Sequence, residues 1–210
     1  MMRQWTTCAA IADARCVGII RAGGAAEATS AGQALIAGGL RIIEVAYTTP
    51  GAPSAISALR AQCPGAIVGA GTVLDGAAAF TAVSAGAQFL VSPAVVEEVL
   101  RAGHRHGLAV MPGAATPTEI NLAMELGADM VKLFPAGSLG VDFMRSVATA
   151  MPHVPLVPTG GVTAENAPDW IAAGAVAVGV GGGLTRGDAA GIQERAERLV
   201  ARLGAASAPR

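Results

Sequence analysis

Gly127-Ala-Asp-Met-Val-Lys-Leu-Phe134 is the stretch that decides the fold. An Ala-rich segment suited to a helix ends at a glycine, and a short apolar run follows within three residues. Glycine just past a helix end closes the last turn in the left-handed conformation, so the unit reads as helix, stop, strand. The same unit recurs at Gly38-Gly-Leu-Arg-Ile-Ile-Glu-Val45, Gly86-Ala-Gln-Phe-Leu-Val91, Gly107-Leu-Ala-Val-Met111 and Gly174-Ala-Val-Ala-Val-Gly-Val180. With Val17–Ile20, Ala66–Val68 and Pro155–Val157 there are eight candidate strands, their starts roughly 20 to 25 residues apart. Near-continuous apolar strands alternating with helices imply a parallel sheet buried on both faces. Eight units favour closure into a (β/α)8 barrel over an open doubly wound sheet. No compositional break marks a linker, so the expectation is a single α/β domain over residues 1–210. It comprises an N-terminal helix at about 5–14, a barrel at about 16–185 and a C-terminal helix at about 188–203.

A chain of 210 residues can bury one full core. Fourteen basic against fifteen acidic side chains, with no basic run, exclude a nucleic-acid backbone or an anionic membrane surface as partner. The hydrophobic fraction of 52% is inflated by 47 Ala and 28 Gly, which describes close packing of elements rather than a greasy exterior. The uncharged run from Gly76 to Val96 is interrupted by Thr81, Ser84, Gln88, Ser92 and Pro93, and reads as a helix and a strand rather than a membrane span. No apolar segment of signal-peptide length precedes Asp13 and Arg15, so the expected location is the cytoplasm. Cys8, Cys16 and Cys63 follow no metal-ligand spacing and read as inert thiols.

Thirteen of the fourteen basic residues are Arg; the exception, Lys132, stands inside Met130-Val-Lys-Leu-Phe134. Strand alternation puts Lys132 on one face with Met130 and Phe134. Lysine is rarely buried without a partner, burial disfavours the charged form of an amine, and a neutral amine attacks carbonyls. Arginine can neither shed its proton nor form an imine, so the one departure from Arg points to covalent chemistry. A lysine that snorkels from a strand end, or pairs with a carboxylate, is the alternative. Glu44 is likewise a charge inside the β-branched run Arg41-Ile-Ile-Glu-Val-Ala-Tyr47. The second and sixth strands feed the same interior layer of such a barrel, so Glu44 and Lys132 could converge. Convergence would give either a structural ion pair or a general acid/base beside a nucleophile.

A barrel places its site at the C-terminal strand ends. Those ends carry Arg21, Thr48-Thr49, Thr72, Ser92-Pro93, Pro112, Phe134, Thr159-Gly160-Gly161 and Gly181-Gly182-Gly183. Glycine loops after the last two strands commonly bind a phosphate through backbone N–H groups, although they serve equally as tight turns. Gly69-Ala-Gly-Thr-Val73 lacks the third glycine of a dinucleotide fingerprint, so no nucleotide cofactor is expected. His104 and His106 are two apart and do not face one site, and His153 lies in a proline-rich loop. All three read as surface histidines and no metal is expected.

With these residues in view, the chain resembles the class I 2-keto-3-deoxy-6-phosphogluconate and 4-hydroxy-2-oxoglutarate aldolases from about Val17 to Leu184. The resemblance is carried by Ala37-Gly-Gly with Ile43-Glu-Val45, Gly69-Ala-Gly-Thr-Val-Leu74, Ala85-Gly-Ala-Gln-Phe-Leu-Val-Ser-Pro93, Pro112-Gly-Ala-Ala-Thr-Pro-Thr-Glu119, Val131-Lys-Leu-Phe-Pro-Ala136 and Pro158-Thr-Gly-Gly-Val162. The resemblance implies Lys132 as Schiff-base lysine and Glu44 as general acid/base. It implies Thr72, Pro93, Phe134 and Thr159 around the pyruvate moiety, and Gly160, Gly161, Gly181 and Gly182 at a distal phosphate or carboxylate. It further implies a 2-oxo acid substrate, pyruvate as product, no cofactor and a homotrimer. Two positions depart from the best-known members: Thr48 stands where an arginine meets the keto acid's carboxylate, and Gly182 where a serine meets the phosphate. Arg21 could supply the missing charge. The rival readings are an aldolase for the epimeric phosphogalactonate substrate, a phosphosugar isomerase or epimerase using Glu44 alone, and a phosphometabolite-binding barrel.

Overall fold

The computed structural model describes residues 3–205; the ends of the expected domain, residues 1–2 and 206–210, lie outside them. Helix α1 (Arg3–Ala14) leads into β1 (Cys16–Ile20), α2 (Ala25–Ala37), β2 (Ile42–Ala46), α3 (Ala52–Gln62), β3 (Ile67–Gly71), α4 (Gly76–Ser84), β4 (Phe89–Val91) and α5 (Glu97–Arg105). There follow β5 (Ala109–Met111), β6 (Gly113–Ala114), α6 (Pro117–Glu125), β7 (Val131–Leu133), α7 (Ala136–Leu139), α8 (Val141–Ala150), β8 (Leu156–Pro158), α9 (Ala167–Ala172) and β9 (Val178–Val180). A 3-10 turn (Gly182–Thr185) and α10 (Ala189–Ala205) complete the order. All eight expected strands are present, and the helix-stop glycines behave as the repeat demands: Gly86 and Gly127 have φ of 91° and 87°. Helix α6 starts from a capping box in which Thr116 and Glu119 satisfy each other's backbone N–H groups.

The expected single eight-stranded ladder is replaced by two parallel sheets, one of six strands in the order β5-β4-β3-β2-β1-β9 and one of three in the order β6-β7-β8. One seam falls at Pro112, which has no N–H to give to a ladder. It separates β5, which falls within the fifth expected strand and pairs with β4, from β6, a short strand beyond the expected end that pairs with β7. Even so, Lys132 N donates to Pro112 O at 2.9 Å and Asp129 N to Val110 O at 3.1 Å across that seam. At the other, a parallel bridge joins Thr159 to Gly179, and Val176 N donates to Leu156 O at 3.0 Å.

The alternation of each strand sorts its side chains between two cores. Ile43, Val45, Val131 and Leu133 join the large cluster under the helices. Ile42, Phe89, Met111, Met130 and Val157 form a smaller cluster to which α1 contributes Ile11. Glu44 and Lys132 alternate with the first set and share the strand face of Ile42 and Met130, the face turned toward the smaller cluster.

Candidate active site

Lys132 and Glu44 are each 2% exposed. Lys132 Nζ lies over the face of the Phe134 ring, 5.0 Å from its centroid. Burial pushes the Glu44 carboxyl above its ordinary range, while the charges of Lys132 and then Arg21 pull it back. Glu44 Oε1 is buried and has no hydrogen-bond partner. Among the described residues, the ion pairs within 4.0 Å are Arg101–Glu97, His104–Asp129, Arg145–Asp142 and Arg198–Glu194, and Glu44–Lys132 is not one of them. A pair retained for structure would be closed and satisfied, because a buried unpaired acceptor costs about 1–3 kcal/mol. This one leaves a carboxylate oxygen open.

Gly71 is what allows Glu44 to sit there. Glu44 is in register with Gly69 of the neighbouring strand and leans along β3 to Gly71. A β-carbon on Gly71 would lie 1.6 Å from Glu44 Oε1. The next residue, Thr72, has φ of 56°, an outlier for a β-branched side chain that costs on the order of 1–3 kcal/mol. The backbone around it is pinned by Tyr47 N donating to Gly71 O at 2.7 Å and Val73 N to Val91 O at 3.0 Å. The strained residue directly follows the glycine that faces the buried Glu44.

From Phe134 the site opens into a cavity of about 510 Å³. Thr159, Gly160 and Gly161 line it on one side, Gly181, Gly182 and Gly183 on another, and Arg21, Arg195 and Arg198 supply its positive charges. Gly179 leaves room for the Thr159 side chain, since a β-carbon there would lie 2.3 Å from Thr159 Oγ1. Gly160 and Gly161, with φ of 84° each, turn their loop against α7, where Gly137 N donates to Gly160 O at 2.6 Å. A second cavity, of about 340 Å³, lies at the opposite strand ends beside Arg41 and Gly65, away from the pair.

Of the residues expected from sequence, the structure therefore gathers Arg21, Phe134, Thr159, Gly160, Gly161, Gly181 and Gly182 around one cavity; Lys132 is buried against Phe134, and Glu44 is buried and coupled to Lys132 and Arg21. Thr72 and Pro93 cap β3 and β4 and do not line that cavity. Thr48 is exposed in the turn after β2 and does not line it either. His104 is not a surface histidine: its Nε2 lies 3.1 Å from Asp129 Oδ2, with only 28% of the side chain exposed. Among the described residues no three His, Cys, Asp or Glu side chains form a group able to hold a metal ion, and no helix is long and apolar enough to cross a membrane. Gly71, Arg195 and Arg198 were not legible as site residues. Gly71 has no side chain to betray it, whereas the arginines did carry a signal, an i, i+3 pair on the helix after the last glycine loop.

A parallel α/β fold with a buried amine and an open carboxylate within its strands, and an arginine-lined cavity at the strand ends, has the equipment of a carbon–carbon lyase, and comparison places it among the aldolases. The family described as KDPG and KHG aldolase matches residues 8–200. The chain is 43% identical over 148 residues to the 2-dehydro-3-deoxy-phosphogluconate aldolase of Treponema pallidum, covering 70% of each protein. It is 38% identical over 170 residues to the KHG/KDPG aldolase of Escherichia coli, covering 80% of each. The crystal structure of the KDPG aldolase from Legionella pneumophila, with pyruvate captured as a covalent carbinolamine, superposes with a TM-score of 0.81 at 28% identity, covering 96% of this chain and 98% of that one. The chain belongs to the KDPG and KHG aldolase family.

Proposed function

We propose that this protein is a metal-independent class I aldolase that cleaves 2-dehydro-3-deoxy-6-phosphogluconate, 4-hydroxy-2-oxoglutarate or both. The observation that carries the reading is the buried Lys132 beside a buried Glu44 whose Oε1 is unpaired. The covalent carbinolamine of the Legionella enzyme supports it. The two sheets are read as one closed (β/α)8 barrel, supported by the hydrogen bonds that cross both seams.

Lys132 Nζ attacks the C2 carbonyl to give a carbinolamine, which loses water to leave an iminium. Glu44 takes the C4 hydroxyl proton as the C3–C4 bond breaks. The bonding pair moves into the iminium to form an enamine, and the aldehyde departs. Protonation at C3 and hydrolysis of the imine release pyruvate and regenerate the amine. Arg21, on the cavity wall and coupled to Glu44, takes the substrate carboxylate in place of the arginine that Thr48 replaces. Thr72, Pro93, Phe134 and Thr159 surround the pyruvate moiety, and the Gly160–Gly161 and Gly181–Gly182 loops hold the distal anion. Exposed Trp5, Leu74 and Phe80 support self-association of the kind the resemblance implies, a homotrimer. A single-chain mass in sedimentation equilibrium would exclude it.

Borohydride reduction with pyruvate should leave a stable adduct on Lys132, mapped by peptide mass spectrometry. An unmodified lysine, or retained cleavage by Lys132→Arg, would exclude the imine route.

A further inference from the structure

The chemistry at Lys132 and Glu44 makes no use of the cavity wall facing α10. That wall carries Arg195 and Arg198, three residues apart and therefore on one side of the helix. Arg195 is half-buried; its Nε donates to Leu184 O at 3.2 Å, and its Nη2 donates to the carbonyl of Arg186. Both acceptors lie just past Gly181–Gly183, so the guanidinium is tied to the very loop whose backbone lines the cavity. Carbonyl acceptors fix a guanidinium without cancelling its charge, and its other N–H donors remain. Asp188, at the start of α10, has Oδ1 engaged by Gly191 N at 2.9 Å. Arg198 is 58% exposed and 3.8 Å from Glu194, a solvent-screened pairing. With Arg21, the cavity carries three arginines against the single carboxylate of Glu165, and a cleft lined mainly by one sign focuses its field on the ligand. Gly182 brings no hydroxyl, so on this side specificity beyond the backbone amides falls to the arginines.

We propose that Arg195, with Arg198 as a weaker second charge, is the specificity-determining cation of the distal subsite, selecting a substrate that ends in a phosphate monoester over one that ends in a carboxylate. This rests on the aldolase reading of the site. A phosphate monoester brings about −1.5 to −2 charges and three acceptor oxygens, against one charge and two oxygens for a carboxylate. A fixed guanidinium therefore gains more from phosphate. Arg195 acts both through the loop it holds and through its charge, and the two contributions separate experimentally.

The experiment compares Arg195→Lys, Arg195→Met and Arg198→Gln with the wild type on 2-dehydro-3-deoxy-6-phosphogluconate and 4-hydroxy-2-oxoglutarate, with inorganic phosphate as competing inhibitor. R195M should raise KM for the phosphorylated substrate at least ten-fold, raise KM for the dicarboxylate less than three-fold, and weaken phosphate inhibition in parallel. R195K, which keeps the charge but cannot make both contacts to the loop, should fall between wild type and R195M on the phosphorylated substrate. Equal losses on both substrates, a fall in kcat with KM retained, R195K as impaired as R195M, or undiminished phosphate inhibition would each overturn the proposal. If R195M does not fold, judged by circular dichroism, R198Q decides: a rise in KM of two-fold or more confined to the phosphorylated substrate supports it, and no rise overturns it. Borohydride trapping of pyruvate on Lys132 in the same samples keeps the readings apart, because absence of an adduct in the wild type refutes the imine mechanism and leaves competition by inorganic phosphate to report on the arginines.

Discussion

Replacing Gly71 by alanine tests the placement of Glu44 without touching its chemistry. A β-carbon at position 71 would lie 1.6 Å from Glu44 Oε1, 2.2 Å from Cδ and 2.6 Å from Cγ. Ordinary contact begins near 3.5 Å, so the carboxylate must retreat by about 2 Å. The extended strand accepts alanine, and the burden falls on the side chain. A misplacement of about 1 Å can cost roughly 100-fold in rate, and a positioned acid/base contributes about 10²–10⁴-fold altogether. The expected loss in kcat is therefore about 10²–10³-fold, or about 2.7–4 kcal/mol of barrier. Overpacking should also cost about 1–3 kcal/mol of stability, visible in urea denaturation. Lys132 is not displaced, so borohydride trapping of pyruvate should persist while cleavage fails. The double variant Gly71→Ala/Glu44→Gln should be no slower than Glu44→Gln alone, because both changes remove the same function. A kcat within five-fold of wild type, or losses that multiply in the double variant, would refute the argument that Gly71 exists to seat Glu44.

Burial holds the carboxyl of Glu44 above its ordinary value of 4.5. Below that value it is protonated in the folded and unfolded states alike, and wild type loses stability as pH rises through the raised native value. Glu44→Gln should therefore melt above wild type at neutral pH, with an advantage that shrinks toward pH 4.5; an advantage that is absent, or that grows on acidification, contradicts the assignment. The acid limb of the wild-type kcat profile should lie above the ordinary carboxylate range and vanish in the same variant. Gly161→Ala places a β-carbon 2.8 Å from Gly137 Cα at φ of 84°. Left-handed strain alone costs about 1–2 kcal/mol. The melting temperature should fall and KM for the phosphorylated substrate rise, while unchanged values for both would show that the loop is not held against α7.

The strands and their order were legible because each repeat carries its own punctuation. Glycine stops at 86 and 127 take the left-handed conformation, and the runs that follow become buried strands. Lys132 and Glu44 stood out because a charge inside an apolar strand needs an explanation. What escaped depended on relations between segments. The break at Pro112 was written in the sequence, but its effect on the ladder appears only when β5 and β6 choose different partners. His104 looked like a surface residue until Asp129, 25 residues away, came within 3.1 Å. Thr48 and Arg21 both follow strands, yet only Arg21 lines the cavity, because the turn after β2 leaves Thr48 in solvent.

The glycine content, first a sign of close packing, acquires a sharper meaning inside the sheets. Phe89 projects over Gly69, Glu44 over Gly71, Thr159 over Gly179 and Phe134 over Gly160, with hypothetical β-carbons at 2.4, 1.6, 2.3 and 3.1 Å from those side chains. An interior this narrow admits a large or functional side chain only where the facing strand or loop gives up its own. Each functional position is thus encoded twice, once as the residue that acts and once as the missing side chain that receives it. The two halves are not equally constrained, because the acting residue answers to chemistry while the glycine within a strand, such as Gly71 or Gly179, answers to volume. A substitution at Gly71 or Gly179 should therefore be rescued by a smaller facing side chain in stability but not in catalysis.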